Sequence, residues 1–270
     1  MNDTDKLFTG SIAEFYDTYP VPLIFEVYAN DLARRTADGA PRAVLETAAG
    51  SGAVTRALAT RLAPDARYVV SDLNQPMLDH VAKRQGLDDR IEWRQADALD
   101  LPFDDASFDT VICQFGVVFY TDKLAGYAEA RRELKPGGRY IFSVWDHIEA
   151  NRFADIVTQA AAIVFPDDPP RFLARIPHGY HDTQPICEDL KKAGFSNISI
   201  VTLEKTSVAP SPRHPAIAYC QGTPLRNEIE ARDADCLDRV IDRVAEAIAA
   251  RYGGGPVAAK IQALVVSATL

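Results

Sequence analysis

The chain has 270 residues, 47% hydrophobic and 25% charged, with 38 acidic against 29 basic side chains and a net charge of −9. That is ample apolar material for one large core or a core with an elaboration. The acidic balance argues against a sequence-independent nucleic-acid binder, which needs clustered basic charge to grip phosphates. No apolar run approaches the roughly 20 residues that span a bilayer, and MNDTDKLFTGS at the N-terminus carries no apolar signal core. Cysteines 113, 187, 220 and 236 stand alone without a C-x-x-C pair, so reduced thiols and a cytoplasmic location are expected.

Taken in chain order, residues 1–35 read as helical, with Phe8, Ile12, Phe15, Tyr16 and Tyr19 clustered before a break at Pro20 and Pro22. From Ala43 onward, strand-like runs alternate with helical patterns. The strands are AVLET (43–47), RYVVS (67–71), IEWRQ (91–95), DTVIC (109–113) and RYIFSVW (139–145). The segments AVTRALATRLA, QPMLDHVAKRQ and KLAGYAEARREL between them repeat apolar residues near the helical period. Such alternation implies parallel strands joined by right-handed crossovers, hence a doubly wound α/β sheet. LKPGGR (134–139) reads as a helix end, a turn and a strand entry, and DDASFD as a solvated turn into the fourth strand. Residues 146–190 are helix and a proline-rich loop, SNISIVTLEKTSV is a sixth strand, 211–256 are mostly helical, and AKIQALVVSATL (259–270) regains strand character.

The stretch AVLETAAGSGAVTRALA (43–59) asks what ligand the fold holds. A buried strand ends on Glu46, and Ala48, Ala49, Gly50, Ser51 and Gly52 strip the following turn of bulk. In an open α/β sheet the ligand crevice lies at the carboxyl ends of the strands beside the switch in strand order, and the next helix offers N–H groups there. A dinucleotide fingerprint would be G-x-G-x-x-G. Gly50 and Gly52 supply two of its glycines, but Thr55 takes the third position and Glu46 would face an anionic pyrophosphate. A cationic ligand removes that objection. Asp72 follows the second strand, 20 residues after Gly52, at the spacing of a ribose-gripping carboxylate. Asp97 follows the third, where it could accept from an adenine amine. Three consecutive strands thus end in acids, which suits a nucleoside with a positively charged sulfur tail.

The ordered set VLETAAGSG, SDLNQPML, ADALDLPFDDASFDTVICQF and ARRELKPGGRYIFSVW resembles the class I S-adenosylmethionine (SAM)-dependent methyltransferases, in the branch similar to ubiquinone/menaquinone-biosynthesis enzymes, over about residues 14–146. Ala48 departs from the glycine many members carry there. The resemblance implies a seven-stranded, mostly parallel Rossmann-like sheet whose antiparallel last strand is inserted between the fifth and sixth. It also implies that Glu46 orients the loop and the methionine amino group, with Ala48, Gly50 and Gly52 admitting the methionine and ribose. Asp72 would hold the ribose hydroxyls, Leu73 and Met77 would pack near the adenine, and Asp97 and Ala98 would address its amine and ring. Gln114 and Phe115 would line the methionine side near the methyl, and Tyr16 and Tyr19 would close over the cofactor. The implied domains are an N-terminal helical lid (1–35), a cofactor-binding core (36–210), a helical insertion over the substrate (211–258) and the final core strand (259–270).

Each position has a plainer reading: Asp72 or Asp97 as a helix cap, Gln114 as a strand-end residue satisfying backbone, and Tyr16 and Tyr19 as core aromatics. His178 and His181 in PHGYH have i, i+3 spacing but no third ligand of suitable spacing, so no metal is expected and both read as surface histidines. Methyl transfer from a sulfonium needs alignment first and a general base only when the acceptor must lose a proton. Tyr16, Tyr19, His147 and His178 are the candidates for that base. The expected partner is a small-molecule methyl acceptor (an O, N or C nucleophile), with no nucleic acid and no membrane insertion. A NAD(P)-dependent oxidoreductase and a non-catalytic SAM-binding protein are the rival readings.

Overall fold

The structure, a computed structural model, describes residues 12–270. The first eleven residues of the N-terminal segment, Phe8 among them, lie outside the described residues. Helix α1 (Ile12–Thr18) leads through a π-type turn (Val21–Phe25) straight into α2 (Glu26–Ala37). The expected break before Pro20 is present as the end of α1 at Thr18 and the turn at Tyr19. Pro22 falls inside the π-type turn that follows, whose wider ladder tolerates its missing N–H.

The alternating region follows as β1 (Ala43–Glu46), α3 (Ala53–Ala59), β2 (Arg67–Asp72), α4 (Gln75–Gln85), β3 (Ile91–Gln95), β4 (Phe108–Gln114), α5 (Lys123–Glu133) and β5 (Leu134–Trp145). Beyond it lie α6 (Arg152–Val164), α7 (Phe172–Arg175), α8 (Thr183–Lys192), β6 (Ser196–Ala209), α9 (Arg213–Gln221), α10 (Leu225–Arg232), α11 (Leu237–Tyr252) and β7 (Val257–Thr269). Strand β5 begins five residues before the expected Arg139. Leu134 already pairs with Phe108, and the register then shifts before Thr110 pairs with Arg139. Such an irregularity within a strand reads as a turn in sequence because it carries Pro136 and Gly137.

The seven strands run in the order β3-β2-β1-β4-β5-β7-β6. Strands β1 to β5 pair in parallel. Strand β7 is antiparallel: Leu270 N–H donates to the Gly138 carbonyl at one end and Asp146 N–H to the Gln262 carbonyl at the other. The final strand thus returns between β5 and β6, as the resemblance implies. Its near-continuous burial from Ala263 to Val266 fits a strand covered on both faces.

The chain divides into two compact units. One comprises Glu26–Val144, His181–Thr202 and Leu264–Leu270. Here Val44, Leu45, Val69, Val70, Val111 and Ile112 form a fully buried sheet centre. Its two faces follow from register. Glu46, Val70, Ile112 and Ile141 are lateral partners and share one face, the face on which Thr55 of α3 meets Glu46. The opposite face holds Tyr140 and Phe142, against which Tyr127 of α5 packs at 6.0 and 5.5 Å. The other unit comprises the residues up to Phe25, Trp145–Tyr180 and Leu203–Ala263. Its longest helix, α11, buries Val240, Ile241, Val244 and Ile248 along one stripe, and Ser207 ties β6 to the π-type turn through the Leu23 carbonyl at 2.8 Å.

Candidate functional site

Strand order sets the position of the site. The chain steps outward from β1 to β2 and β3, then returns to place β4 on the other side of β1. The crossovers on either side of that switch diverge and leave a crevice at the carboxyl ends of β1 and β4. The turn after β1 is built for close approach. Ala48, Gly50 and Gly52 all have positive φ, at 52°, 55° and 70°. A methyl added at Gly50 would meet nothing nearer than the Ala48 carbonyl oxygen at 4.0 Å, so the space over the turn is open. A side chain at Gly52 would collide with Val81 of α4, so that glycine serves packing. Backbone bonds hold the turn from both sides: Thr47 N–H donates to Ile112, and Ala49 N–H to Ser71, at 2.9 and 3.0 Å.

Two buried acids stand at this edge. Glu46, 2% exposed, accepts hydrogen bonds from the Tyr68 hydroxyl and, at 2.8 Å, from Thr55 Oγ1. Burial pushes its carboxyl up to about 7, against the pull of those two bonds and of the Arg56 charge. Asp72, 6% exposed, accepts from Gly50 N–H and Asn74 N–H, both at 2.8 Å. Burial raises its carboxyl as well, opposed by those backbone bonds. Asp72 therefore clamps the glycine turn to the end of β2, a role beyond the one expected of it. Register adds Gln114 to the same sheet face as Glu46, since Ile112 is its neighbour two residues back. Asp72 pairs laterally with Gln95, and Asp97 follows on an exposed loop where its Oδ1 accepts from Leu99 N–H at 3.0 Å.

Glu46, Ala48, Gly50, Gly52, Asp72, Leu73, Met77, Asp97, Ala98, Gln114 and Phe115 all belong to one unit. Met77 is buried, whereas Leu73 is 44% exposed. Phe115, in the left-handed region at φ 56°, meets Tyr28 of α2 edge-on at 5.6 Å. Tyr16, Tyr19, His147 and His178 belong to the other unit. There Tyr16 stacks on Phe25 at 5.0 Å, Phe25 meets Trp145 at 5.8 Å and Trp145 lies 5.9 Å from His178. Tyr19 contacts His214 at 4.9 Å. His147 is exposed, with Nδ1 3.1 Å from Glu149. The reading of His178 as a surface residue is corrected: it is 5% exposed and its Nδ1 lies 2.8 Å from the Asp146 carbonyl. A carbonyl only accepts, so that contact places the proton on Nδ1. Among the described residues no cluster of His, Cys, Asp and Glu could hold a metal ion, and no helix is long and apolar enough to cross a membrane.

Sequence reasoning missed Tyr68 and Thr55, which hold Glu46, and Gly116, on which the Ala48 side chain sits. The signal for Gly116 was available as a glycine directly after the strand end CQF.

A doubly wound sheet with acids at the ends of consecutive strands and a stripped turn at the switch point defines a nucleoside-cofactor-binding α/β enzyme. Residues 44–138 match the family described as a methyltransferase domain. A demethylmenaquinone methyltransferase from Clavibacter sepedonicus is 33% identical over 68% of this chain and 80% of its own length. A ubiquinone/menaquinone biosynthesis C-methyltransferase UbiE from Hahella chejuensis is 41% identical over 36% of this chain, which spans 41% of that relative's length. Among solved structures, a SAM-dependent methyltransferase from Aquifex aeolicus superposes with a TM-score of 0.53 at 16% identity, covering 72% of this chain and 93% of that one. The chain belongs to the class I SAM-dependent methyltransferases.

Proposed function

We propose that this methyltransferase acts on a small-molecule acceptor, with a hydroquinone-type ring as the first class to test. The single observation that carries the cofactor side is the pair of buried acids, Glu46 and Asp72, flanking an open glycine turn at the switch point. These residues fit a nucleoside with a cationic tail. Asp72 would accept from the ribose hydroxyls, Glu46 would favour the ammonium group, and Gly50 leaves the room the ligand needs. Asp97 and Ala98 would address the adenine, Leu73 and Met77 would pack beside it, and Gln114 and Phe115 would border the methionine end. SAM, when bound, supplies a methyl carbon already activated by the sulfonium, so the chain's task is to align an acceptor and exclude water.

The acceptor class rests on the relatives, one named for demethylmenaquinone and another for ubiquinone and menaquinone biosynthesis. Where such an acceptor must lose a proton, Tyr16, Tyr19, His147 and His178 are the candidate bases; the Asp146 carbonyl, 2.8 Å from His178 Nδ1, orients that ring. The rival nicotinamide reading is disfavoured because Thr55, in the third-glycine position, is bonded to the buried Glu46.

Thermal melting with S-adenosylhomocysteine (SAH) and with NAD tests the cofactor, and incubation with SAM and 1,4-naphthalenediol, followed by mass spectrometry, tests the acceptor. A melting shift with SAH only and a methylated diol are expected. Stabilisation by NAD rather than SAH would overturn the cofactor reading, and an unmodified diol would remove the hydroquinone class.

A further inference from the structure

The turn after β1 has an alanine in a conformation that ordinarily belongs to glycine. Ala48 sits at φ 52°, where a side chain costs about 1 kcal/mol or more. The structure shows what accompanies that strain. Gly116, just past the end of β4, lies under the Ala48 methyl: a Cβ added at Gly116 would stand 2.5 Å from Ala48 Cβ and 2.7 Å from Cys113 Sγ. One residue earlier in that second turn, Phe115 is also left-handed, at φ 56°, and its N–H donates to the Ser143 carbonyl at 3.0 Å. Two strained non-glycine residues therefore end two neighbouring strands, and a methyl from one seats on a glycine beside the other.

This contact has a particular place in the topology. Strands β1 and β4 are the pair at which the sheet changes direction, and Glu46 is the lateral partner of Ile112 there. The connections leaving these two strands diverge, so the ladder no longer joins them above that level. The Ala48–Gly116 contact spans the two turns beyond the last ladder pair. Glycine at 48 would relieve the strain and lose the contact together.

We propose that Ala48 is a positioning residue: its methyl, seated on Gly116, latches the turn after β1 to the turn after β4 and sets the turn's backbone before the cofactor arrives. The proposal rests on the cofactor reading given above. Strain held in a binding turn is repaid as preorganisation, because a turn already fixed loses less freedom when the ligand binds.

The test uses the full chain and the variants Ala48→Gly and Gly116→Ala, with calorimetric titration of SAH and amide hydrogen exchange of residues 49–52 in the unliganded protein. Ala48→Gly should bind SAH about fivefold more weakly, the scale of ordering one further backbone residue. Its turn amides should exchange faster while its melting temperature stays close to that of the wild type. Gly116→Ala should lower the melting temperature less in the Ala48→Gly background than in the wild type, because one of its two collisions has gone. Wild-type SAH affinity together with wild-type exchange in Ala48→Gly would overturn the latch. If SAH fails to bind the wild-type chain, the cofactor reading fails instead, and exchange in the unliganded turn still decides whether the latch exists.

Discussion

Two groups of acids at opposite edges of the same sheet differ in what surrounds them. Near the amino end of β4, Arg132 collects Glu129, Glu133 and Asp105 at 2.7–3.0 Å and also donates to the Leu101 and Phe103 carbonyls. Glu129 is held below the usual carboxylate range, chiefly by its bonds from Arg132, whereas burial raises the more deeply placed Glu133 to about 7 against the pull of the same arginine. At the carboxyl ends, the donors to Glu46 are a phenol and a hydroxyl, and those to Asp72 are amide groups. Burial dominates both, and both carboxyls move upward. An acid matched by a guanidinium within the fold is a fastening. An acid buried among neutral donors retains its appetite for a cation, which is what a sulfonium nucleoside offers.

That contrast can be broken at either end. The largest expected effect is on stability, from Arg132→Leu, which strands Glu133 (fully buried, with one oxygen on Arg132) without its partner and releases the 101–107 loop. Loss of about 3 kcal/mol is expected in chemical denaturation, with the folded fraction still binding SAH normally. A specific loss of SAH affinity at unchanged stability would put Arg132 in the wrong group.

Next in size is Asp72→Asn, which keeps the shape but removes the charge and one acceptor. SAH affinity should fall by at least about tenfold. Because Asp72 also accepts from Gly50 and Asn74, a modest drop in melting temperature should accompany it, and the two effects can be read separately by titration and melting.

Glu46 yields a prediction in pH. Its folded carboxyl titrates near 7, above its ordinary 4.5. A raised carboxyl contributes stability that is fully present below pH 4.5 and lost as pH rises through about 7, so unliganded stability should decline across that window. Glu133, raised to about 7 by burial, contributes in the same direction. SAM affinity should do the opposite and climb over pH 6–8, since the ionised Glu46 favours a cation. Glu46→Gln should flatten both slopes, more visibly for SAM than for SAH, which lacks the sulfonium. Equal pH slopes in the variant and wild type would assign the titration elsewhere.

The smallest effect concerns Asp97, exposed on its loop. Asp97→Ala should weaken SAH only a few-fold, roughly the worth of one solvent-competed hydrogen bond, and should narrow the preference for adenosine over inosine analogues.

Much of this architecture is legible in the sequence because its signals are local. Apolar runs of the right length mark β1 to β4, and the return of apolar character at 259–270 marks a last strand, whose insertion between the fifth and sixth is what the family resemblance implies. Glu46, Asp72 and Asp97 can be aligned on one edge because parallel strands all end on the same side. What stays hidden depends on contacts between distant segments. That Tyr68 and Thr55 both serve Glu46 requires the register of β1 with β2 and the placement of α3. That Gly116 must lack a side chain requires the methyl of Ala48 beside it. His178 reads as exposed in a proline-rich loop, yet its ring is drawn in by a carbonyl 32 residues earlier and by Trp145. Prolines 20 and 22 read as a break, and the chain does break at Tyr19, but nothing local announces the π-type turn (Val21–Phe25) that follows.

The central claim is that the acids at the carboxyl edge, hydrogen-bonded to neutral donors rather than to a guanidinium, make a cation-tailed nucleoside site. Calorimetric titration of SAH into Asp72→Asn beside the wild-type chain, at one pH near 7.5 and one ionic strength, tests it most directly. The account predicts measurable binding to the wild type and affinity at least about tenfold lower in the variant, with both proteins folded. Equal affinities in two folded proteins would contradict it.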